Sequence, residues 1–373
     1  MKAATRSLID LMRSPADAGR LSLSEWARLL SVVRAANVIG TLGERLSQAG
    51  GTVPPQVKRH LVGMAQLSAR QRESVRWEAH QLARALQHLE IPVLLLKGSA
   101  YVLGGLPVSV GRLFGDIDIL VPRSALGRVE VAMMTHGWTS AKQSEYDQRY
   151  YRQWMHELPP MVNVRRGTVL DIHHTLLPLT SRYTPDPEKL IEHSREIPGL
   201  APLRIPSPQD LLIHSITHLF HEGELHNGMR DLFDIDGLIR HFAGTVPEFW
   251  SSLVNRADDL QLARPLFLGL HFAVRLLGTP VPAAILADSG KRGAPSAIAL
   301  RMLEILFDQG LQPMHAECDS ALTPTARWLI YVRAHWLRMP PHLLAMHLST
   351  KAWKSIFPSD KRPATGTEDG LPQ

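Results

Sequence analysis

Apolar and polar positions over the first ninety residues repeat with the period of a helix. The stretch "SEWARLLSVVRAANVIGTLGERLSQAGG" spaces its apolar residues three and four apart and stops at Gly50 and Gly51. Pro54 and Pro55 then open a second amphipathic run that continues to Glu90. Two or three helices are expected there. From Ile91 the texture changes. "IPVLLLKG" is a short unbroken apolar run ended by Gly98, the pattern of a buried strand. "AYVLGG" has room for one or two helical turns, and "GDIDILVP" reads as a second strand ended by Pro122. "SALGRVEVAMMTHG" follows as a helix, with Ser124 as its N-cap and Gly137 as its stop. "PMVNV" and "TVLDIHHTL" flank Arg165, Arg166 and Gly167, as the strands of a hairpin flank its turn. After Pro178 the helical period returns. Ser207 and Pro208 open that run, and amphipathic segments continue to about Lys354. The polar, Pro- and Gly-containing end, 355–373, is expected to be disordered.

The pattern predicts an α+β protein. A helical segment (1–90) precedes a core of strand, short helix, strand, helix and antiparallel pair (91–178), and a helical domain (179–354) follows. Composition changes this picture little. The chain of 373 residues is 45% hydrophobic and 20% charged, in the ordinary globular range. A formal charge of +6 suits phosphate-bearing partners, but the Lys and Arg residues are scattered. A nucleic-acid stripe is therefore not indicated. The single cysteine, Cys318, excludes an internal disulfide framework and a multi-cysteine zinc site. "PLFLGLHFAVRLLG", the most apolar late segment, is too short to span a bilayer, and the first residues do not read as a signal peptide. A cytoplasmic location without membrane attachment is expected.

Chemistry enters with Asp116 and Asp118. On a strand, residues i and i+2 face the same way, so these carboxylates project side by side from an apolar element. Mg²⁺ prefers oxygen ligands and is held by one or two carboxylates plus substrate phosphates. Two aspartates on one strand face can share a pair of such ions, and Asp171, alone between Leu170 and Ile172, offers a third acid; three acids converging from neighbouring strands would make a two-metal site. Adjacent acids repel, so neutralising either Asp116 or Asp118 is expected to raise stability slightly. Gly98 and Ser99 end one strand and open a helix, where a glycine lets phosphate approach the backbone and a hydroxyl can donate to it. Neither a Walker A loop nor a GxGxxG fingerprint is present. Arg112, four residues before Asp116, is a candidate partner for phosphate or for the aspartates, and Lys97 has a similar claim.

Strand, Gly-Ser, short helix, Arg112, "GDIDILV" and a later acid on its own strand together resemble the DNA polymerase β-like nucleotidyltransferase superfamily. Within it, the chain is similar to the uncharacterised bacterial nucleotidyltransferases with a KG opening, "R…DIDILV" and a later "LDIHH" strand. The likeness covers about 91–178, with weaker support in "HSITHLF…RDLFDID". It implies triphosphate contacts at Gly98 and Ser99, metal ligands at Asp116 and Asp118, and an Asp171 that activates the acceptor hydroxyl. The helices beyond 178 would wall the nucleotide pocket, bringing in His218 and Arg230, with Asp234 nearby. The distance from Gly-Ser to the aspartates is longer than in the minimal members of the superfamily.

Eighteen histidines are many for this length. His214, His218 and His221 share a helix face, but i and i+7 lie about 10 Å apart along the axis, so they are poorly placed for one zinc. By strand alternation His173 shares the face of Asp171, and His174 turns away. His156 has no assigned role. The expected function is Mg²⁺- or Mn²⁺-dependent transfer of a nucleoside monophosphate from an NTP to an unidentified acceptor. Two alternatives stay open at this level: transfer of a sugar or sugar phosphate from a nucleotide-sugar in peptide or polysaccharide tailoring, and a nucleotide-binding or partner-docking module with little turnover.

Overall fold

A computed structural model describes residues 1–141, 145–221 and 223–339, so the tail expected to be disordered lies outside the described residues. Four α-helices occupy the first ninety residues: α1 (Ala3–Arg13), α2 (Leu23–Ala35), α3 (Ile39–Gln48) and α4 (Pro55–Leu86). Periodicity runs α2 and α3 together. They are separated because Asn37 takes a left-handed backbone (φ 57), and the Val38 N–H closes back on the Val33 carbonyl. Asparagine tolerates that conformation better than most residues.

The centre of the chain alternates short strands and helices: β1 (Val93–Leu96), α5 (Lys97–Leu103), β2 (Asp116–Leu120), α6 (Leu126–Thr135), β3 (Trp138–Ser140), α7 (Glu145–Trp154), β4 (Met161–Asn163) and β5 (Val169–His173). The expected hairpin is present, β4 and β5 pairing antiparallel with Gly167 in its turn at φ 69. Ser124 is not an N-cap. It lies inside a 3-10 turn, and α6 starts after Ala125 with no side-chain cap. Gly137 does end the helix, at φ 82.

After Pro178 the chain, read as helical from its periodicity, first returns to the sheet: α8 (Pro187–Glu192), β6 (Arg195–Glu196) and β7 (Leu203–Ile205). Strands of two or three residues are too short to show a period, which is why β3, β6 and β7 escape sequence reading. The mixed sheet runs β3-β4-β5-β2-β1-β7-β6. β2 lies at its centre, antiparallel to β1 and parallel to β5. The remaining described elements are helical: α9 (Pro208–His221), α10 (Gly228–Thr245), α11 (Phe249–Asp259), α12 (Ala263–Phe272), α13 (Ala283–Gly293), α14 (Ala297–Gly310) and α15 (Thr323–Arg338). Ser207 accepts the Asp210 N–H and Pro208 opens α9, as expected.

One apolar core joins all these parts, from Trp26 and Leu86 through Leu94 and Leu120 to Phe220 and Phe272. Two polar contacts fix the layers around the sheet. Buried Glu78 of α4 accepts from Arg166 (2.7 and 3.1 Å) and from Thr168 (2.6 Å), clamping the β4–β5 turn to the long helix. α9 packs against α5, with a Tyr101–Ser215 hydroxyl hydrogen bond between them. No described helix is long and apolar enough to cross a membrane.

Candidate active site

The three acids meet because of one register. In the parallel β2–β5 pair Asp118 lies opposite Asp171, and Asp116 lies one strand period away on the same face. One oxygen from each lies within 4.8 Å of the others. Asp116 is exposed at the start of β2, whereas Asp118 is only 2% exposed.

Asp118 is held by two side chains through one oxygen. Lys97 Nζ donates to Oδ1 at 2.7 Å, and His173 Nε2 lies 3.1 Å from the same atom. Lys97 opens α5 with a left-handed backbone (φ 44), uncommon for a residue with a Cβ, at the corner where β1 turns into the helix. His173 faces the site, as strand alternation predicts. His174 is also buried, and burial first, then Arg123, lowers its pKa to about 4.

Charge is unevenly shared. Burial opposes the charge on Asp118, but Lys97 and His173 outweigh it and hold the carboxyl far below the usual range. Burial likewise opposes the charge on Lys97, and Asp118 outweighs it, so the ammonium is retained. Asp116 is pushed up, first by the Asp118 charge and then by burial. Asp171 is pushed up to about 7 by burial, then by Asp118 and Glu157. Its Oδ1 is buried with no hydrogen-bond partner. A buried carboxylate oxygen without a donor, beside two more carboxylates, leaves negative charge uncompensated, and the three acids together could hold a cation.

A cavity of about 450 Å³ opens on this cluster, bounded by Lys97, Gly98, Arg112, Asp116 and Asp118 on one side. His218, Asn227, Arg230 and Asp231, from α9, α10 and their connection, bound it on the other. Seven of the nine residues assigned from sequence thus line one space. Asp171 completes the carboxylate group, and Ser99 is the ninth. Arg112, although it reaches the cavity, is a buried partner of Asp234 (Nε to Oδ2, 2.8 Å) and stacks over Phe114 at 5.0 Å. Gly98 makes room for that pair, since a Cβ there would lie 2.7 Å from both Arg112 Nη1 and the Phe114 ring. Ser99 turns inward, its hydroxyl donating to the Leu96 carbonyl at 2.7 Å. Arg230 bonds Asp231 through two nitrogens (2.9 and 2.7 Å).

His218 borders the cavity, but His214 and His221 do not. Burial, with smaller contributions from charged neighbours, lowers the pKa of His214 and of His221 to about 3 each. The described groups able to hold an ion do not include these three histidines. Such a group does include His156, Glu157 and His173. Glu157 Oε2 lies 3.5 Å from His173 Nε2 and 3.8 Å from His156 Nε2. Sequence reading left His156 unassigned and passed over Glu157. The available signal was a His-Glu pair ahead of two prolines, too short to carry a period. A second groove, about 590 Å³ in volume, reaches Asp116 past Trp77, Phe114 and Arg166.

The family model described as an uncharacterised nucleotidyltransferase matches residues 22–278. No curated protein matches the chain. Among solved structures it is similar to an antigenic nucleotidyltransferase-like protein from Paracoccidioides brasiliensis, at 16% identity and a TM-score of 0.30, over 57% of this chain and 96% of that one. A likeness of that size carries no functional weight.

Proposed function

The chain belongs to the uncharacterised nucleotidyltransferase family, and on that premise we propose that it transfers a nucleoside monophosphate from an NTP to an acceptor hydroxyl, releasing pyrophosphate. The observation that carries this reading is the register of Asp118 against Asp171, with Asp116 on the same face and a cavity that also takes in Lys97 and Arg230 in front of them. Asp116, Asp118 and Asp171 would hold Mg²⁺ or Mn²⁺. The donor set fits, since it is all oxygen and includes the unpartnered Oδ1 of Asp171. A bound divalent ion supplies neutralisation of charge on the transferred phosphoryl group.

The side chains of the protein supply the rest. Lys97 and Arg230 place positive charge along the cavity wall, where a triphosphate needs it. Asp171, with a pKa near 7, is suited to take the proton of the acceptor hydroxyl at its carboxylate. The acceptor oxygen then forms a bond to the α-phosphorus as the bond to the β-phosphate oxygen breaks. Positioning and charge, more than covalent participation by the protein, would lower the barrier. Buried Cys318, the single cysteine, suits a reducing compartment such as the cytoplasm, where NTPs are abundant.

The test is incubation with Mg²⁺, each NTP in turn and cell extract. Pyrophosphate release and a labelled product heavier by a nucleoside monophosphate are expected. A product heavier by a sugar, or none with any NTP, would overturn the reading.

A further inference from the structure

We propose, resting on that reading, that the site takes one divalent cation and that the Lys97 ammonium stands where a second would bind. Two ions sharing a carboxylate pair sit roughly 3.5–4 Å apart, a spacing that a shared carboxylate bridges most readily with one oxygen toward each ion. Asp118 is the residue placed for that sharing, because it lies between Asp116 along the strand and Asp171 across it. Its Oδ1 is already committed. A carboxylate oxygen has about two lone-pair sites, and those of Oδ1 meet Lys97 Nζ at 2.7 Å and His173 Nε2 at 3.1 Å. Oδ2 alone remains for a metal.

Lys97 is held in that place. Its backbone is fixed by the left-handed corner between β1 and α5, and its side chain is 22% exposed. Asp118 is its ion-pair partner within 4 Å among the described residues. A metal competing for Oδ1 would displace an ammonium with little water to receive it. His173 is constrained as well, its Nε2 lying 3.1 Å from Asp118 and 3.5 Å from Glu157. The opposite side of the cluster is open to an ion. Asp116 is exposed at the cavity and Asp171 Oδ1 lacks a donor. One hard cation there would take an oxygen from each of Asp116, Asp118 and Asp171. Lys97, also lining the cavity, then meets the nucleotide as a fixed positive charge that needs no ion to be recruited.

Electron paramagnetic resonance of bound Mn²⁺ separates the possibilities, because two ions at that spacing couple magnetically and one does not. All proteins would carry His156→Ala, which takes one of the three ligands from the neighbouring His156–Glu157–His173 group. Each would be saturated with a non-hydrolysable α,β-methylene NTP analogue and titrated with Mn²⁺. With Lys97 present, one uncoupled ion per chain is expected. Lys97→Met, or Lys97→Gln if the first does not fold, is expected to raise the count to two and to produce the coupled signal. A coupled pair with Lys97 in place overturns the proposal and leaves the nucleotidyltransferase reading standing. One uncoupled ion in the Lys97 variants also overturns it, since Lys97 would not be what excludes the second. No protein-bound Mn²⁺ in any of them overturns the metal-site reading itself.

Discussion

Asp118 and Asp210 are both buried carboxylates paired with a base, yet they belong to different kinds of structure. Asp210, in the first turn of α9, is fully buried and receives Arg256 through two nitrogens, one to each oxygen, at 2.7 and 2.9 Å. Every lone pair that matters has a donor, and charge balances locally. Asp118 receives both of its side-chain donors on one oxygen and has two more carboxylates beside it. Charge of one sign accumulates there, and burial plus its neighbours push Asp171 up to about 7. A satisfied buried pair gives orientation and little else. An unsatisfied cluster at a cavity is a place where a ligand completes the electrostatics.

The largest effects should separate the acids from one another. Asp116→Asn and Asp118→Asn should each lower NTP turnover by at least about 10³-fold, the upper range for losing a contact made to developing charge. Their stabilities should move in opposite directions. Repulsion by Asp118 raises the Asp116 pKa, so Asp116→Asn should be neutral or slightly stabilising. Asp118→Asn deprives Lys97 and His173 of a charged partner and should cost about 2 kcal/mol. That is less than the 3–5 kcal/mol of a fully buried pair, because Lys97 keeps some water contact. A gain in stability, expected from the sequence for either acid, is thus predicted for Asp116 alone. Urea melts that shift the same way for both variants would break the distinction.

Asp210→Ala should cost about 3 kcal/mol in urea unfolding, because the Arg256 guanidinium loses its two-nitrogen partner and keeps only half-exposed Asp259 and the Lys189 carbonyl. The protein that stays folded should bind Mn²⁺ with unchanged affinity. A parallel loss of Mn²⁺ binding would show that the two regions are not separate.

A smaller effect follows from proton competition. Below about pH 7 the Asp171 carboxyl holds a proton that a cation must displace, so Mn²⁺ affinity should fall by up to about tenfold for each pH unit on the acid side. Above pH 7 it should level off. Calorimetric titration at pH 6, 7 and 8 checks this, and Asp171→Asn should bind more weakly with that slope removed.

Ser99→Ala should have the least effect. Its hydroxyl is used on the Leu96 carbonyl, so about 0.5–1.5 kcal/mol of stability should be lost with little change in KM for the NTP. A KM raised severalfold would return Ser99 to the nucleotide.

What was legible beforehand depended on distance along the chain. Asp116 and Asp118 could be placed on one face because two residues of strand decide it. The Ser207 cap and the left-handed Gly137 and Gly167 are likewise decided within one turn. The partner of Arg112 was not legible. Asp234 lies 122 positions away on α10, and nothing near Arg112 in the chain distinguishes it from Asp116 as a partner. The inward turn of Ser99 was hidden for a related reason, since a hydroxyl after a strand can serve the backbone or a ligand equally well.

The sequence by itself determined the alternation that aims two acids the same way, the hairpin that carries a third, and the long amphipathic α4. These are matters of period and turn chemistry, in which neighbouring residues constrain one another directly. Only the tertiary structure decided that Asp171 lies opposite Asp118, because that needs a parallel pairing across about fifty residues of intervening chain. It alone brought Lys97 and His173 to the same carboxylate oxygen, set His156 and Glu157 beside them, and closed the cavity with Arg230 from α10. Such contacts depend on how whole elements stack around a shared core, and no local pattern records that stacking.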